Sequence, residues 1–591
     1  MEVVMRKKIG RLLAWIGGIV VVVGTVVVAI VIIAAVKDED GVPDEVILTV
    51  NFEKQVVEYV PDNPLAKLMN EDVQSLRGMV GVLDRAATDE RVVGLLAKAG
   101  SAQMGFAQIQ EVRDAVLAFR ESGKPTVVYA ETFGEGGAGN SSYYLASAFE
   151  TIYLQPSGDV GLTGLRAEHP FVKGLLDSLD VVPRMAGRYE YKNAMNLFTE
   201  DHFTEPHREA TEVMLQSMYE QIVADVAVAR KKTPDQVKKM IDEGPILGAD
   251  ALALGLVDEL AYRDEVYDRV KTKWGAGAEY LSLDKYGDKE GSAFDEGTQV
   301  ALIYGVGQVT RGKSDYSPAS GSSNMGSSTV TKAFRDAVKD KNVKAILLRI
   351  DSPGGSYVAS DAIWREVEKA KKAGKPVIAS MGNVAASGGY YVAMNADKIV
   401  AQPGTITGSI GVLAGKMLTE GFWKKLGITW DYAQVGENAM FWSSGRDFTP
   451  EQWAQFNGSL DRVYVDFTQK AADGRGMSRE DIHAVAKGRV WTGADAKARG
   501  LVDELGGFQV ALNLTREALK LERDAPIELR VFPKEKTLVE LVLEKGFIRT
   551  VSNVDVLVSL VHDLRPVFQF ARAVGVTHQP GVVEMPEIRV E

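Results

Sequence analysis

Asn383-Val384-Ala385-Ala386-Ser387-Gly388-Gly389-Tyr390-Tyr391 is the stretch from which the rest of this chain can be read. The apolar run Pro376 to Met381 ahead of it has the character of a parallel strand buried on both faces. Tyr390 to Ala396 beyond it reads as a helix. Ser387 therefore falls at a strand-to-helix turn, followed by two glycines that let the backbone come close to a bound group. A hydroxyl beside the free N–H groups of a helix N-terminus is well placed as an acyl-transfer nucleophile. The plainer alternative for Ser387 is a helix N-cap, and the stretch alone leaves both open.

Outward from this point the chain alternates strands and helices. Val300 to Tyr304 and Val343 to Ile350 read as strands, Val358 to Lys372 as a helix and Val377 to Ser380 as a strand. The same order occurs upstream. Strands are expected at Val46 to Val50, Val92 to Ala97, Thr126 to Ala130 and Ile152 to Leu154, and helices at Asn70 to Ala86, Met104 to Arg120 and near Tyr143 to Phe149. Such alternation implies βαβ units and a helix-covered sheet. The correspondence extends to residues. Gly123-Lys124-Pro125 recurs as Gly374-Lys375-Pro376 at an offset of 251, and Tyr143-Tyr144 and Gln155-Pro156 recur as Tyr390-Tyr391 and Gln402-Pro403 at 247. Asn193-Ala194-Met195 recurs as Asn438-Ala439-Met440, and Gly255 to Leu260 as Gly500 to Leu505, both at 245. The chain is a tandem duplication of units of domain size, 45–275 and 297–527. Each unit closes on long helical segments, Glu205 to Lys231 and Pro450 to Ala472. Asp264 to Lys273 reads as helical and goes with the first unit. Gly275 to Gly297 is expected to be a linker, and Ser314 to Ser328, rich in Ser and Gly, a mobile loop. Residues 528–591 have no counterpart in the first unit and read as a docked appendage.

Leu12 to Val36 is 25 residues without a charge, enough to span a bilayer with some tilt. Arg6, Lys7, Lys8 and Arg11 in segment 1–11 precede it, and the positive-inside bias leaves the N-terminus in the cytoplasm and the remainder across the membrane. Residues 12–36 thus read as an uncleaved signal anchor. The 591 residues are far too many for one core, and 46% hydrophobic with 25% charged is ordinary globular composition. A net charge of −12 argues against nucleic acid as a partner. The absence of cysteine excludes thiol nucleophiles, disulfides and thiolate metal sites. None of the six histidines forms an HExxH pair, and all six read as structural or exposed.

The two copies differ at telling places. Asn140 stands opposite Ser387, and Ser141-Ser142 opposite Gly388-Gly389. Asp351-Ser352-Pro353-Gly354-Gly355, a turn able to expose N–H groups for an oxyanion, is replaced in the first copy by Gly100-Ser101-Ala102-Gln103-Met104. Conversely, Lys192 stands opposite Glu437. One copy keeps a serine and a glycine-rich turn, the other a lysine, which is the pattern a single composite site leaves behind.

The Ala386-Ser387-Gly388-Gly389-Tyr390-Tyr391 stretch, the Asp351 to Gly355 turn and the tandem halves together resemble the signal peptide peptidase A family, above all its long, membrane-anchored bacterial form. The resemblance covers roughly residues 45 to 525. It implies an α/β architecture of two tandem ClpP/crotonase-like units, each a repeated ββα superhelix, after an N-terminal transmembrane helix. It also implies a serine peptidase whose catalytic dyad joins a serine of the C-terminal half, Ser387, to a lysine of the N-terminal half, Lys192. The family's pattern around the lysine is met loosely by Gly187-Arg188-Tyr189-Glu190-Tyr191-Lys192-Asn193-Ala194, with extra residues before Lys192. A supporting serine of the family maps onto Ser409 in Gly408-Ser409-Ile410-Gly411.

In this chemistry Ser387 attacks a peptide carbonyl, Lys192 as a free amine takes its proton, and an acyl-enzyme forms and hydrolyses. An unperturbed lysine, near pKa ~10.4, is protonated at neutral pH, so burial has to favour the neutral amine. Ser409 orients the amine, with a turn residue as its alternative. The N–H groups of Gly355 (or Gly354) and Gly388 form the oxyanion hole, and Asp351 is a turn-stabilising carboxylate rather than a triad acid. No cofactor and no metal is required. The resemblance further implies a bacterial inner-membrane protein with its catalytic part on the periplasmic side, a homotetramer, and signal peptides already cut from their precursors as substrates. Two other functions compete: a crotonase-like acyl-CoA enzyme, and a catalytically decayed membrane-tethered scaffold.

Overall fold

The computed structural model of the chain describes residues 41–59, 73–317, 322–534 and 582–584. The expected anchor at 12–36 and most of the appendage lie outside the described residues. Among those described, no helix is long and apolar enough to cross a membrane.

Two sheets carry the fold. The first is wholly parallel, in the spatial order Glu259–Leu260, Thr151–Leu154, Thr126–Ala130, Val92–Lys98, Val46–Asn51, Glu279–Ser282. The second runs Val490–Thr492, Ile406–Gly408, Val377–Ala386, Ala345–Ser352, Thr298–Val306, Ile527–Phe532, with Lys398–Ala401 and Glu504–Leu505 off that path. Its central pairings are parallel, as continuous apolar strands such as Ala345-Ile346-Leu347-Leu348 require when both faces are covered. Helices Leu76–Thr88, Phe106–Glu121 and Tyr357–Lys372 follow the strands where the alternation predicts them, and Ser327–Lys339 is a further helix that the sequence reading does not include. The first starts later than expected because Val73–Ser75 pairs with Gln55–Val57, and Ser75 then caps the helix through Gly78 N–H.

Three expectations about the boundaries need correction. The stretch 275–297 is no plain linker: Glu279–Ser282 forms the edge strand beside Val46–Asn51, and helix Leu283–Glu290 buries Leu283 and Tyr286. Its polar composition hid a short strand whose stability comes from its neighbour. The Ser/Gly-rich stretch is likewise ordered over Ser322–Gly326, which pairs in parallel with Gln308–Thr310 and buries Met325. Gly307 is required there, because a Cβ would stand 1.8 Å from Ser323 O. Finally, residues 528–591 do not begin a separate appendage, since Ile527–Phe532 is the edge strand of the second sheet.

The repeats also share interior. One hydrophobic core holds Val46, Leu95 and Ile109 of the first together with Leu302, Leu347, Ile378 and Phe508 of the second. A buried ionic cluster lies in the same interface. Arg349, with no exposed surface, donates to Glu58 Oε2 (2.8 Å) and Oε1 (3.1 Å), to Glu111 Oε2 (2.9 Å) and to Ser380 Oγ (2.8 Å). Burial works against the guanidinium, but the Glu111 and Glu58 carboxylates outweigh it and hold Arg349 charged. Burial pushes the Glu111 carboxyl up. That oxygen set is completed by Phe508 N–H, donated at 2.6 Å from the start of helix Phe508–Leu519.

Candidate active site

Ser387 ends the strand Val377–Ala386 and precedes helix Gly388–Ala393. Its backbone is at φ 53°, ψ −116°, a region that costs a side-chain-bearing residue energy and is typical of residues held for function. The hydroxyl makes no capping bond to the helix, so the N-cap alternative does not account for it. Its N–H donates to Gly408 O at 2.9 Å. The residue is completely buried. Tyr390 anchors the following helix through Leu501 O (3.0 Å), and Tyr391 through Asp466 (2.7 Å).

Lys192 arrives from the other repeat along an antiparallel pair. Val182–Arg188 runs against Val412–Leu418, ending at Arg188 opposite Val412. The chain then turns, Lys192 N–H donating to Tyr189 O at 3.0 Å, and folds Lys192 back beside Gly187. The amine Nζ lies 2.9 Å from Ser387 Oγ, 2.9 Å from Ser409 Oγ and 3.0 Å from the Ser409 carbonyl oxygen. Lys192 is 2% exposed, against the surface position usual for lysine. Ser409, also at positive φ (49°), is fixed by its N–H bond to Arg489 O at 2.7 Å. The structure thus places the Ser387 and Ser409 hydroxyls both within hydrogen-bond reach of the Lys192 amine.

The glycines expected for the oxyanion hole sit against each other. A Cβ on Gly388 would stand 3.0 Å from Gly355 N and 2.7 Å from Ser360 Oγ, so only glycine permits this approach. Gly354 N–H donates to Ser352 Oγ at 3.2 Å, which commits it to the turn and favours Gly355 for a bound oxygen. Gly354–Ser356 is itself a short strand, parallel to Gln308–Thr310 on one side and antiparallel to Val582–Glu584 on the other.

One contributor escaped the sequence reading. Tyr189 and Tyr191 N–H donate to Lys487 O (3.1 and 3.2 Å), and Lys487 pairs with Glu190 at 3.0 Å. A Cβ on the next residue, Gly488, would stand 2.6 Å from the Lys192 backbone. At the 245 offset Gly488 faces Glu243, so the comparison of copies held this signal. The relics in the first copy have become structural: Asn140, 2% exposed, accepts Thr163 and Gly164 N–H (3.0 and 3.2 Å) and donates to Gly164 O (2.8 Å). Glu437 is exposed. The described histidines lie in aromatic settings or at the surface: His169 and His207 pack with Phe203, His483 meets Tyr464, and His202 is exposed. Asp351 braces a neighbouring strand instead of its own turn, its Oδ1 accepting Val384 N–H at 2.9 Å.

The family model of Peptidase family S49 matches the chain twice, over residues 118–276 and 369–522. Protease 4 of Salmonella typhi is 33% identical over 485 residues, which is 80% of this chain and 76% of that protein. Protease 4 of Haemophilus influenzae is 30% identical over 466 residues, 76% of this chain and 74% of that protein. The chloroplastic serine protease SPPA of Arabidopsis thaliana is 32% identical over 466 residues, 77% of this chain and 66% of the plant protein's length. With two matched units and these relatives along most of its length, the chain belongs to peptidase family S49, as a serine peptidase of the signal peptide peptidase A type.

Proposed function

We propose that the chain is a membrane-anchored endopeptidase that hydrolyses peptide bonds through a Ser387–Lys192 dyad and an acyl-enzyme. The observation that carries this reading is the 2.9 Å contact between Lys192 Nζ and Ser387 Oγ, made across the repeats between two buried residues. Desolvation disfavours the ammonium form, so the buried amine is suited to accept the serine's proton as Oγ attacks the carbonyl carbon. It then returns that proton to the leaving amine and activates the water that hydrolyses the ester. Ser409 orients the amine, and Gly355 and Gly388 N–H groups receive the tetrahedral oxygen. An intact dyad weighs against a decayed scaffold.

The edge of the Gly354–Ser356 strand supports a peptide substrate in extended form. Residues 582–584 of the chain itself already add to that edge as an antiparallel strand, and a substrate entering there would use the same main-chain bonds. Residues 12–36 serve as the anchor, with the catalytic part on the periplasmic face of a bacterial inner membrane and signal-peptide remnants as substrates. A homotetramer is supported by the exposed apolar side chains Leu426, Ile428, Trp430, Tyr432 and Val435, clustered on one segment of the second repeat.

A fluorophosphonate probe tests the dyad. Ser387 should be the labelled residue, and Lys192→Ala should lose labelling and turnover with an unchanged circular dichroism spectrum. Lys192→Arg should fail equally, because a guanidinium stays protonated. Labelling at another serine, or native-rate labelling of Lys192→Ala, would defeat the reading.

A further inference from the structure

The strand that delivers Ser387 is irregular. Ile350 faces Met381 and Ser352 faces Ala385, so Gly382-Asn383-Val384 stand opposite the single residue Asp351. Such a bulge frees backbone groups from the ladder and re-aims the strand beyond it. Two of these groups have side-chain partners. Asp351 Oδ1 accepts Val384 N–H at 2.9 Å, and the Thr405 hydroxyl donates to Gly382 O at 2.8 Å. Asn383 Oδ1 accepts Gln108 N–H at 3.1 Å, in the first turn of the first repeat's helix Phe106–Glu121.

Space is as tightly specified as the bonding. A Cβ on Gly382 would stand 2.9 Å from Glu58 Oε1 and 3.2 Å from Asp351 Cβ. A Cβ on Gly105, which caps the first repeat's helix, would stand 2.3 Å from the Asn383 side chain. Glu58 is in turn held by Gln108 Nε2 (3.0 Å) and Arg349. Asp351 immediately precedes Ser352, whose hydroxyl donates to Gly307 O at 2.7 Å and accepts Gly354 N–H. One residue therefore joins the turn that presents Gly355 to the strand that presents Ser387.

We propose that Asp351 is a positioning residue for the peptidase reaction: it holds the Gly382–Val384 bulge in the register that sets Ser387 Oγ against the Lys192 amine, and through Asn383 it ties that register to the docking of the first repeat. The proposal rests on the dyad reading. Desolvation of the half-buried carboxyl, and then the Glu58 carboxylate, push Asp351 up to about 7. Two acidic groups kept this close oppose stability, which is the expected signature of a group retained for the reaction.

The test compares Asp351→Ala and Asp351→Asn in the full chain, reading kcat, KM and the rate of fluorophosphonate labelling. Misplacement of a nucleophile by about 1 Å costs on the order of 10²-fold. Asp351→Ala should lower kcat and the labelling rate by about that factor with KM nearly unchanged. Asp351→Asn keeps an oxygen acceptor for Val384 N–H and should recover most of the loss. Full kcat in the alanine variant, or equal impairment in both, overturns the proposal. Should the alanine variant fail to fold, Asn383→Ala carries the test: lower kcat at unchanged KM supports it, and unchanged kcat overturns it. Absence of Ser387 labelling in the unsubstituted chain would instead condemn the dyad reading.

Discussion

Replacing Ser409 by alanine isolates one contact of the lysine amine. Nζ has Ser409 Oγ at 2.9 Å and the Ser409 carbonyl at 3.0 Å, and the substitution deletes only the first. As Lys192 takes the serine's proton it becomes an ammonium, so the hydroxyl contact is a hydrogen bond to a charged group in the transition state. Such bonds contribute about 1.5–3 kcal/mol. At about 1.4 kcal/mol per tenfold in rate, Ser409→Ala should lower kcat by about 10- to 150-fold. KM should hardly move, because the hydroxyl supports the base and not the substrate. Steady-state kinetics with a fluorogenic peptide, alongside circular dichroism to check the fold, make the measurement. A kcat within about twofold of the unsubstituted chain would show that the hydroxyl does not support the amine in the reaction. A loss equal to that of Ser387→Ala would show that Ser409 has a chemical role of its own. Either result refutes the reasoning.

Arg349→Met leaves Glu58 and Glu111 buried without their cation and should cost about 3–5 kcal/mol in chemical denaturation; an unchanged midpoint would contradict the buried-cluster account. Asn140→Ala loses three hydrogen bonds and should lower stability by about 1–3 kcal/mol while leaving kcat of the folded enzyme intact; a loss like that of Ser387→Ala would give the first repeat a catalytic role. Deleting residues 535–591 removes the strand on Gly354–Ser356 and should lower KM for peptides at constant kcat; a raised KM would mean that the segment builds the site instead of occupying it. Asp351 is raised in the folded state to about 7 from 3.8, so the fold holds its proton to higher pH than the unfolded chain does. That stabilisation is present in acid and lost as pH rises towards 7, and the fall in denaturation midpoint across this window should be smaller in Asp351→Asn.

The duplication, the parallel strands and the position of Ser387 were legible because they depend on local signals. Apolar runs of strand length, helical periodicity and a serine followed by two glycines are written in consecutive residues, and the offsets of 251, 247 and 245 need only the chain itself. The difference between copies also pointed to Lys192, since a lysine facing Glu437 and a serine facing Asn140 are complementary losses. The distance between them was not legible. It depends on the antiparallel pairing of Val182–Arg188 with Val412–Leu418 and on the bonds of Tyr189 and Tyr191 to Lys487 O, contacts between segments more than two hundred residues apart. The polar strand Glu279–Ser282 reads as linker for a related reason, since its hydrogen-bond partner is Val46–Asn51 at the far end of the repeat. Arg349, Glu58 and Glu111 look like surface residues in sequence, where long charged side chains usually lie in water. Only the docking of the repeats removes that water, and the same docking decides that two half-sites become one.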